Sequence, residues 1–219
     1  MEIMEHKKKF QLERLVLFSD AVFAIAITLL VIELKLPDMT EISNASLANA
    51  LLHTLPHFMS FFMSFMIIGI YWVAHHRMFY YIIAYDVRLL WLNLFLLFFI
   101  VLMPFSSYVY GLYSGLNTAF TLYVFNISML SFFNYAMYNH ISKPERHLSH
   151  GLENPRRVNF FKARSWIVPL CFGVGLLSSM VWTSPWGIAI SRMSPLLIIP
   201  GMKIIRRKFA DVSELKSAN

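Results

Sequence analysis

The stretch RLVLFSDAVFAIAITLLVI, running from Arg14 to Ile32, decides the fold. From Leu15 to Ile32 the chain has 18 residues, of which only Ser19, Asp20 and Thr28 are polar. At the α-helical rise they extend roughly 27 Å, close to the hydrocarbon thickness of a bilayer. The segment is therefore expected to cross a membrane as a helix. A carboxylate inside such a helix is costly in lipid, so Asp20 should face protein or water and mark an ion pathway, a proton relay or a structural polar network.

Composition extends that reading to the whole chain. Of its 219 residues 58% are hydrophobic, 14% are charged and 20 are Phe, with a mean hydropathy of +0.57, which excludes an ordinary soluble domain. Apolar runs bounded by charges or turn residues mark six spans, at Leu15 to Leu34, Leu47 to Ala74, Leu89 to Val109, Thr118 to Tyr138, Trp166 to Thr183 and Pro185 to Met202. The expected fold is an all-α membrane protein of six transmembrane helices. The second span is long enough to need tilt, and Arg192, Pro195 and Pro200 interrupt the sixth. Asn139 to Ser165 reads as a basic loop, which leaves no soluble domain between spans. The expected division is a cytoplasmic N-terminus at 1–13, a transmembrane domain at 14–204 and a basic cytoplasmic tail at 205–219.

A net charge of +7 suggests nucleic acid, but its placement points to topology. With the N-terminus inside, 17 of the 19 Lys and Arg residues fall on inner segments, and only Lys35 and Arg192 fall elsewhere. Both termini are therefore expected in the cytoplasm and no nucleic-acid partner is expected. Asp38 and Glu41, on the outer side, read as a solvated loop. The first apolar run ends in Glu33, Lys35 and Pro37 with no small-residue cleavage site, unlike a signal peptide. The single cysteine, Cys171, lies within the fifth span and gives neither a disulfide framework nor a thiol metal site.

Enzyme chemistry is not evident: there is no phosphate loop, nucleophile elbow, His-Glu-x-x-His motif or carboxylate pair within one span. His53 and His57 lie one helical turn apart, but no further ligand joins them. They read as hydrogen-bonded residues near the interface, and no metal or cofactor is expected.

The first helix carries the functional argument. At 100° per residue, with Ile25 as zero, Thr28 falls at about 300°, Leu29 at about 40° and Ile32 at about 340°, a single stripe roughly 100° wide. Asp20 falls near 220°, away from that stripe, and should anchor the helix to its neighbours. A lipid-facing stripe would need no further account.

Through Arg14, Phe18, Ser19 and Asp20 the chain resembles the endolysosomal potassium channels and their bacterial homologues, which carry an Arg-x-x-x-Phe-Ser-Asp signature on the first membrane helix. The continuation FAIAITLLVIELKLP and the echoes Trp72-x-x-His75, Leu89-Leu-Trp91-Leu-Asn93 and Pro104-Phe105 extend the resemblance over roughly Phe10 to Met202. It implies a potassium-permeable cation channel whose first helix lines the pore of a homotetramer in a bacterial cell membrane, with potassium and other monovalent cations as partners. Carried over by position, Ile25 matches the narrow hydrophobic ring, Leu29 and Ile32 match further apolar rings, and Thr28 matches a position implicated in selectivity. Arg14, Phe18, Ser19, Asp20, Trp72, His75, Trp91 and Asn93 are expected to form the polar network behind the pore. Animal members carry two six-helix repeats, whereas the Phe-Ser-Asp element occurs once here, so a closed pore is expected to need four chains. The Thr-Val-Gly-Tyr-Gly filter of other potassium channels does not occur, and Phe172-Gly-Val-Gly175 only echoes it. Two other classes stay open: a proton-coupled secondary transporter, and a membrane-embedded enzyme or scaffold.

Overall fold

In a computed structural model, the backbone is described for residues 2–37, 41–182 and 184–209, and side chains from Phe10 onward except Pro185. Asp38, Thr183 at the end of the fifth expected span, and tail residues 210–219 lie outside the described residues. The described residues fold as helices α1 (Glu2–Ile32), α2 (Asn44–Tyr80), α3 (Val87–Val101), α4 (Met103–Leu112), α5 (Asn117–Ile141), α6 (Pro155–Ser165), α7 (Ile167–Val181), α8 (Pro185–Ser191) and α9 (Ile198–Lys208). Among them, Phe10–Ile32, Asn44–Tyr80, Val87–Leu112, Pro155–Val181 and Trp186–Lys208 are long and apolar enough to cross a membrane. The more polar α5 stands at the centre of the bundle, against α3, α4, α6 and α7.

Helix ends follow local chemistry. Ser43 caps α2 reciprocally with Ser46: its hydroxyl accepts from Ser46 N at 3.1 Å while Ser46 Oγ accepts from Ser43 N at 2.9 Å. Asp86 caps α3 by accepting from Leu89 N at 2.7 Å. Pro104 has no N–H for the carbonyl one turn back, so the third expected span divides into α3 and α4 at Leu102.

Two expectations need correction. The connection at Asn139 to Ser165 is not a plain loop, because its last 11 residues form α6. Asn154 caps that helix by accepting from Arg156 N at 2.9 Å, and Val158, Phe160 and Phe161 bury its apolar side. Those three apolar positions are hidden among basic residues in the sequence. The connection is also pinned to the end of α2 by Ile83 N to Leu148 O at 2.9 Å and His150 N to Tyr81 O at 2.9 Å. The turn between these contacts and α6 places Gly151 at φ +84°, where a side chain would be strained.

The sixth expected span is likewise not one helix: α8 ends at Ser191, a 3₁₀ turn covers Ser194–Leu197, and α9 follows. Pro195 opens the turn, while Pro200 is the third residue of α9, where its missing N–H would have had no helical partner. Arg192 turns inward at the break, with its guanidinium 3.9 Å above the Phe120 ring and Nη2 donating to Asn117 Oδ1 at 3.2 Å.

Hydroxyl groups stitch the centre of the bundle. Ser60 Oγ donates to Ser107 O at 2.7 Å, Ser64 Oγ donates to Ser107 Oγ at 2.8 Å, and Ser64 Oγ also lies 2.8 Å from Tyr123 Oη. Asn126 Nδ2 donates to Ser106 Oγ at 3.0 Å. Gly111 lets α4 approach α2 closely, since a Cβ there would meet His57 Cδ2 at 2.9 Å and His57 Cα at 3.2 Å. Small residues and interhelical hydrogen bonds are what hold helices together in lipid, where burying apolar surface gains little.

Candidate functional site

Two seams run along α1. Ser19, Phe23, Ala26 and Leu30, spaced by four, three and four residues, are all at most 2% exposed. They face α2, α3 and α4. On the other side Ile25 is 59% exposed, Leu29 39% and Ile32 61%, with exposed Phe18 and Thr28 beside them. One helix thus carries a buried anchoring seam and an unpartnered branched-apolar seam.

The anchor is a three-helix hydrogen-bond chain. Ser19 Oγ donates to Leu15 O at 2.9 Å and accepts from Asn93 Nδ2 of α3 at 2.9 Å. Asn93 Oδ1 lies 2.8 Å from His75 Nε2 of α2. Since a carboxamide oxygen only accepts, His75 donates from Nε2. Its Nδ1 is buried without a partner, and the ring packs between Phe23 and Phe79, with centroids at 5.4 and 4.4 Å. The neutral tautomer protonated at Nε2 fits these surroundings, because a proton on Nδ1 would have no acceptor.

Asp20 sits apart from this chain, half-buried at the rim of the contact, and accepts from Trp72 Nε1 at 3.0 Å. The structure therefore joins Ser19, Asn93 and His75 in one cluster and Asp20 and Trp72 in another. It does not bring Arg14, Phe18 or Trp91 to either. Arg14 is exposed, with no hydrogen bond or ion pair among the described residues; six positions before Asp20, it points to a different side of the helix. Phe18 is 52% exposed on the outward seam. Trp91 is 56% exposed, with its ring tilted against that of Phe95 at 6.1 Å, because two residues along a helix from Asn93 is nearly the opposite face.

Thr28 shows what the outward seam offers chemically. Its hydroxyl donates into its own helix, to Ile25 O at 2.9 Å or Ala24 O at 3.1 Å. The proton is thereby held by the backbone, and both lone pairs of the oxygen remain free to accept. Among the described residues no three His, Cys, Asp or Glu side chains converge as metal ligands.

The hydroxyl ladder of Ser60, Ser64, Ser107 and Tyr123 was not foreseen from sequence. Its available signal was the spacing of Ser60 and Ser64, which share a helix face, and the adjacent pair Ser106 and Ser107.

Residues 14–104, which carry both seams and the anchor, match the family model described as endosomal/lysosomal potassium channel TMEM175. Over these residues the chain is similar to the TMEM175 family. A protein named potassium channel from Chryseobacterium sp. (strain P1-3) is 44% identical over 94 residues, 43% of this chain and 46% of that one. The TMEM175 of Bos taurus, named an endosomal/lysosomal proton channel, is 40% identical over 73 residues, 31% of this chain and 15% of its own. The aligned stretch thus spans about half the length of the bacterial relatives and far less of the animal one. The crystal structure of a lysosomal potassium-selective channel TMEM175 homolog from Chamaesiphon minutus is similar over 95% of this chain and 99% of that chain, with a TM-score of 0.65 and 25% identity. Like these TMEM175 relatives, the chain is a multi-pass membrane protein.

Proposed function

We propose that this chain is a potassium-permeable cation channel in which four copies surround a pore lined by α1, with both termini in the cytoplasm. The observation that carries the reading is the outward seam of α1: branched apolar side chains and one hydroxyl stay exposed on a helix whose opposite side is fixed by buried contacts to three others. Fourfold assembly would stack rings of Ile25, Leu29 and Ile32 into a neck that blocks by dewetting when narrow and passes a nearly dehydrated cation when wider. A Thr28 ring would add four hydroxyl oxygens. Because their protons are held by the helix backbone, these oxygens would meet a cation as acceptors. Helix carbonyls are committed to intrahelical bonds, so these hydroxyls and residual water would be the main oxygen ligands in the neck. That is a different construction from a Thr-Val-Gly-Tyr-Gly filter and should give moderate selectivity. In this reading the Ser19–Asn93–His75 chain and the Asp20–Trp72 bond hold α1 in place and are not permeated past.

The test is the reversal potential of purified protein in a planar bilayer, with potassium on one side and sodium on the other, for the native chain and Ile25→Asn. A reversal potential displaced toward that of potassium, with larger currents in the variant, is expected. A proton gradient at symmetric potassium measures proton passage separately. Absence of current from verified oligomers of both forms would overturn the channel reading.

A further inference from the structure

An open-mouthed cavity lies where α2, α5, α6 and α7 meet, on the far side of α2 from the α1 anchor. Its enclosed space is only about 30 Å³ and opens to the surface, and Arg77, Asn134, Tyr138, Arg164 and Ser165 are among its lining residues. Arg77 and Arg164 are both half-buried there, with no hydrogen bond or ion pair among the described residues. Among the described residues, the charged and titratable groups that act on Arg164 are Arg77, Arg206 and Tyr138, with no carboxylate. Asn134 is 2% exposed; its Oδ1 accepts from Ser165 Oγ at 2.9 Å, while its Nδ2 is buried without a partner.

Two like charges sharing a cavity with an orphaned amide donor leave an incomplete electrostatic arrangement. A position near a helix C-terminus suits an arginine, since both lie in the last turns of α2 and α6. That explains neither the shared cavity nor the unpaired amide. A water would satisfy the amide but would not offset two guanidinium charges. A group that would meet both needs is an anion with several acceptor oxygens. Guanidinium groups bind phosphate oxygens in a bidentate fashion, and basic cavities between membrane helices suit lipid headgroups.

We propose that this cavity is a phosphate-binding site, in which Arg77 and Arg164 hold the oxygens of a phosphate group and Asn134 Nδ2 donates a further hydrogen bond. The phosphate arrives on an anionic phospholipid headgroup or as the free ion. The site lies away from the outward seam of α1 and does not depend on whether the protein conducts.

The test uses the full chain in nanodiscs of phosphatidylcholine with a minor share of phosphatidylglycerol, reading retained lipid by native mass spectrometry. In neutral detergent, the thermal midpoint is compared in inorganic phosphate and in chloride of equal ionic strength. Two variants probe the site: R77Q/R164Q, which removes the cations, and Asn134→Asp, which supplies an internal counter-ion and remains informative if the double variant fails to fold. The native chain is expected to retain phosphatidylglycerol selectively, and each folded variant to lose about tenfold or more of that retention, the scale of one or two lost charge-assisted hydrogen bonds. Stabilisation by inorganic phosphate that Asn134→Asp abolishes would support the site with the free ion as source. Lipid retention without it would support the site with the headgroup as source. No preference of the native chain for either phosphate form over its control, or full retention by Asn134→Asp, would overturn the proposal.

Discussion

Helix α1 leaves Ile25, Leu29 and Ile32 exposed, whereas the more polar α5 has thirteen of its 25 residues buried, Asn126, Ser131 and Asn134 among them. In water this arrangement would be inverted. In a bilayer, apolar side chains gain little by turning inward, while polar groups must find partners inside the protein. The helix with the most hydrogen-bonding capacity therefore becomes the hub, and the more apolar one is free to present a face elsewhere. An exposed apolar seam in a membrane protein is not in itself a defect or a binding site. The significance of the α1 seam comes from the hydroxyl within it and from the anchoring of the opposite side.

Substitutions at the two helices should separate these roles. Tyr123→Ala removes a fully buried ring packed on Tyr110 and Phe172, with centroids at 5.0 and 5.6 Å, and breaks the bond to Ser64. A stability loss of about 3–5 kcal/mol is expected, read by denaturant unfolding in detergent. Ile25→Ala should cost far less, and equal losses would break the comparison. Asn93→Leu is next: it leaves His75 Nε2 and Ser19 without their partner and should cost about 1–3 kcal/mol by the same assay. Asp20→Asn keeps an acceptor for Trp72 at the half-exposed rim. It should change stability by less than about 0.5 kcal/mol and leave ion preference unaltered. A larger loss from Asp20→Asn than from Asn93→Leu would show that the rim, and not the buried chain, holds α1.

Much of this was legible in sequence. The spacing of Ile25, Thr28, Leu29 and Ile32 gave one stripe, and they do share the outward side of α1. Apolar run lengths located the crossings, with breaks where Pro104 and Pro195 remove backbone donors. What was not legible follows from how contacts are chosen. A wheel says that Asp20 faces away from the stripe but not that its neighbour Ser19 takes the buried position and leaves the carboxylate at the rim. Arg14 and Trp91 are conspicuous as residue types, yet helical phase turns them away from the residues they were expected to meet. Helix α6 was masked by its basic residues, because three buried apolar side chains among eleven give a weak periodic signal.

The central claim, that the outward seam of α1 faces a conducting pore, is tested most directly with Leu29→Cys in a Cys171→Ser background. Silver ions are applied during current recording, with Leu177→Cys on the exposed side of α7 as control. The expected result is rapid, persistent block at Leu29→Cys and none at Leu177→Cys. Unblocked current in Leu29→Cys, and in Ile25→Cys and Ile32→Cys made the same way, would contradict the claim and leave the seam facing lipid.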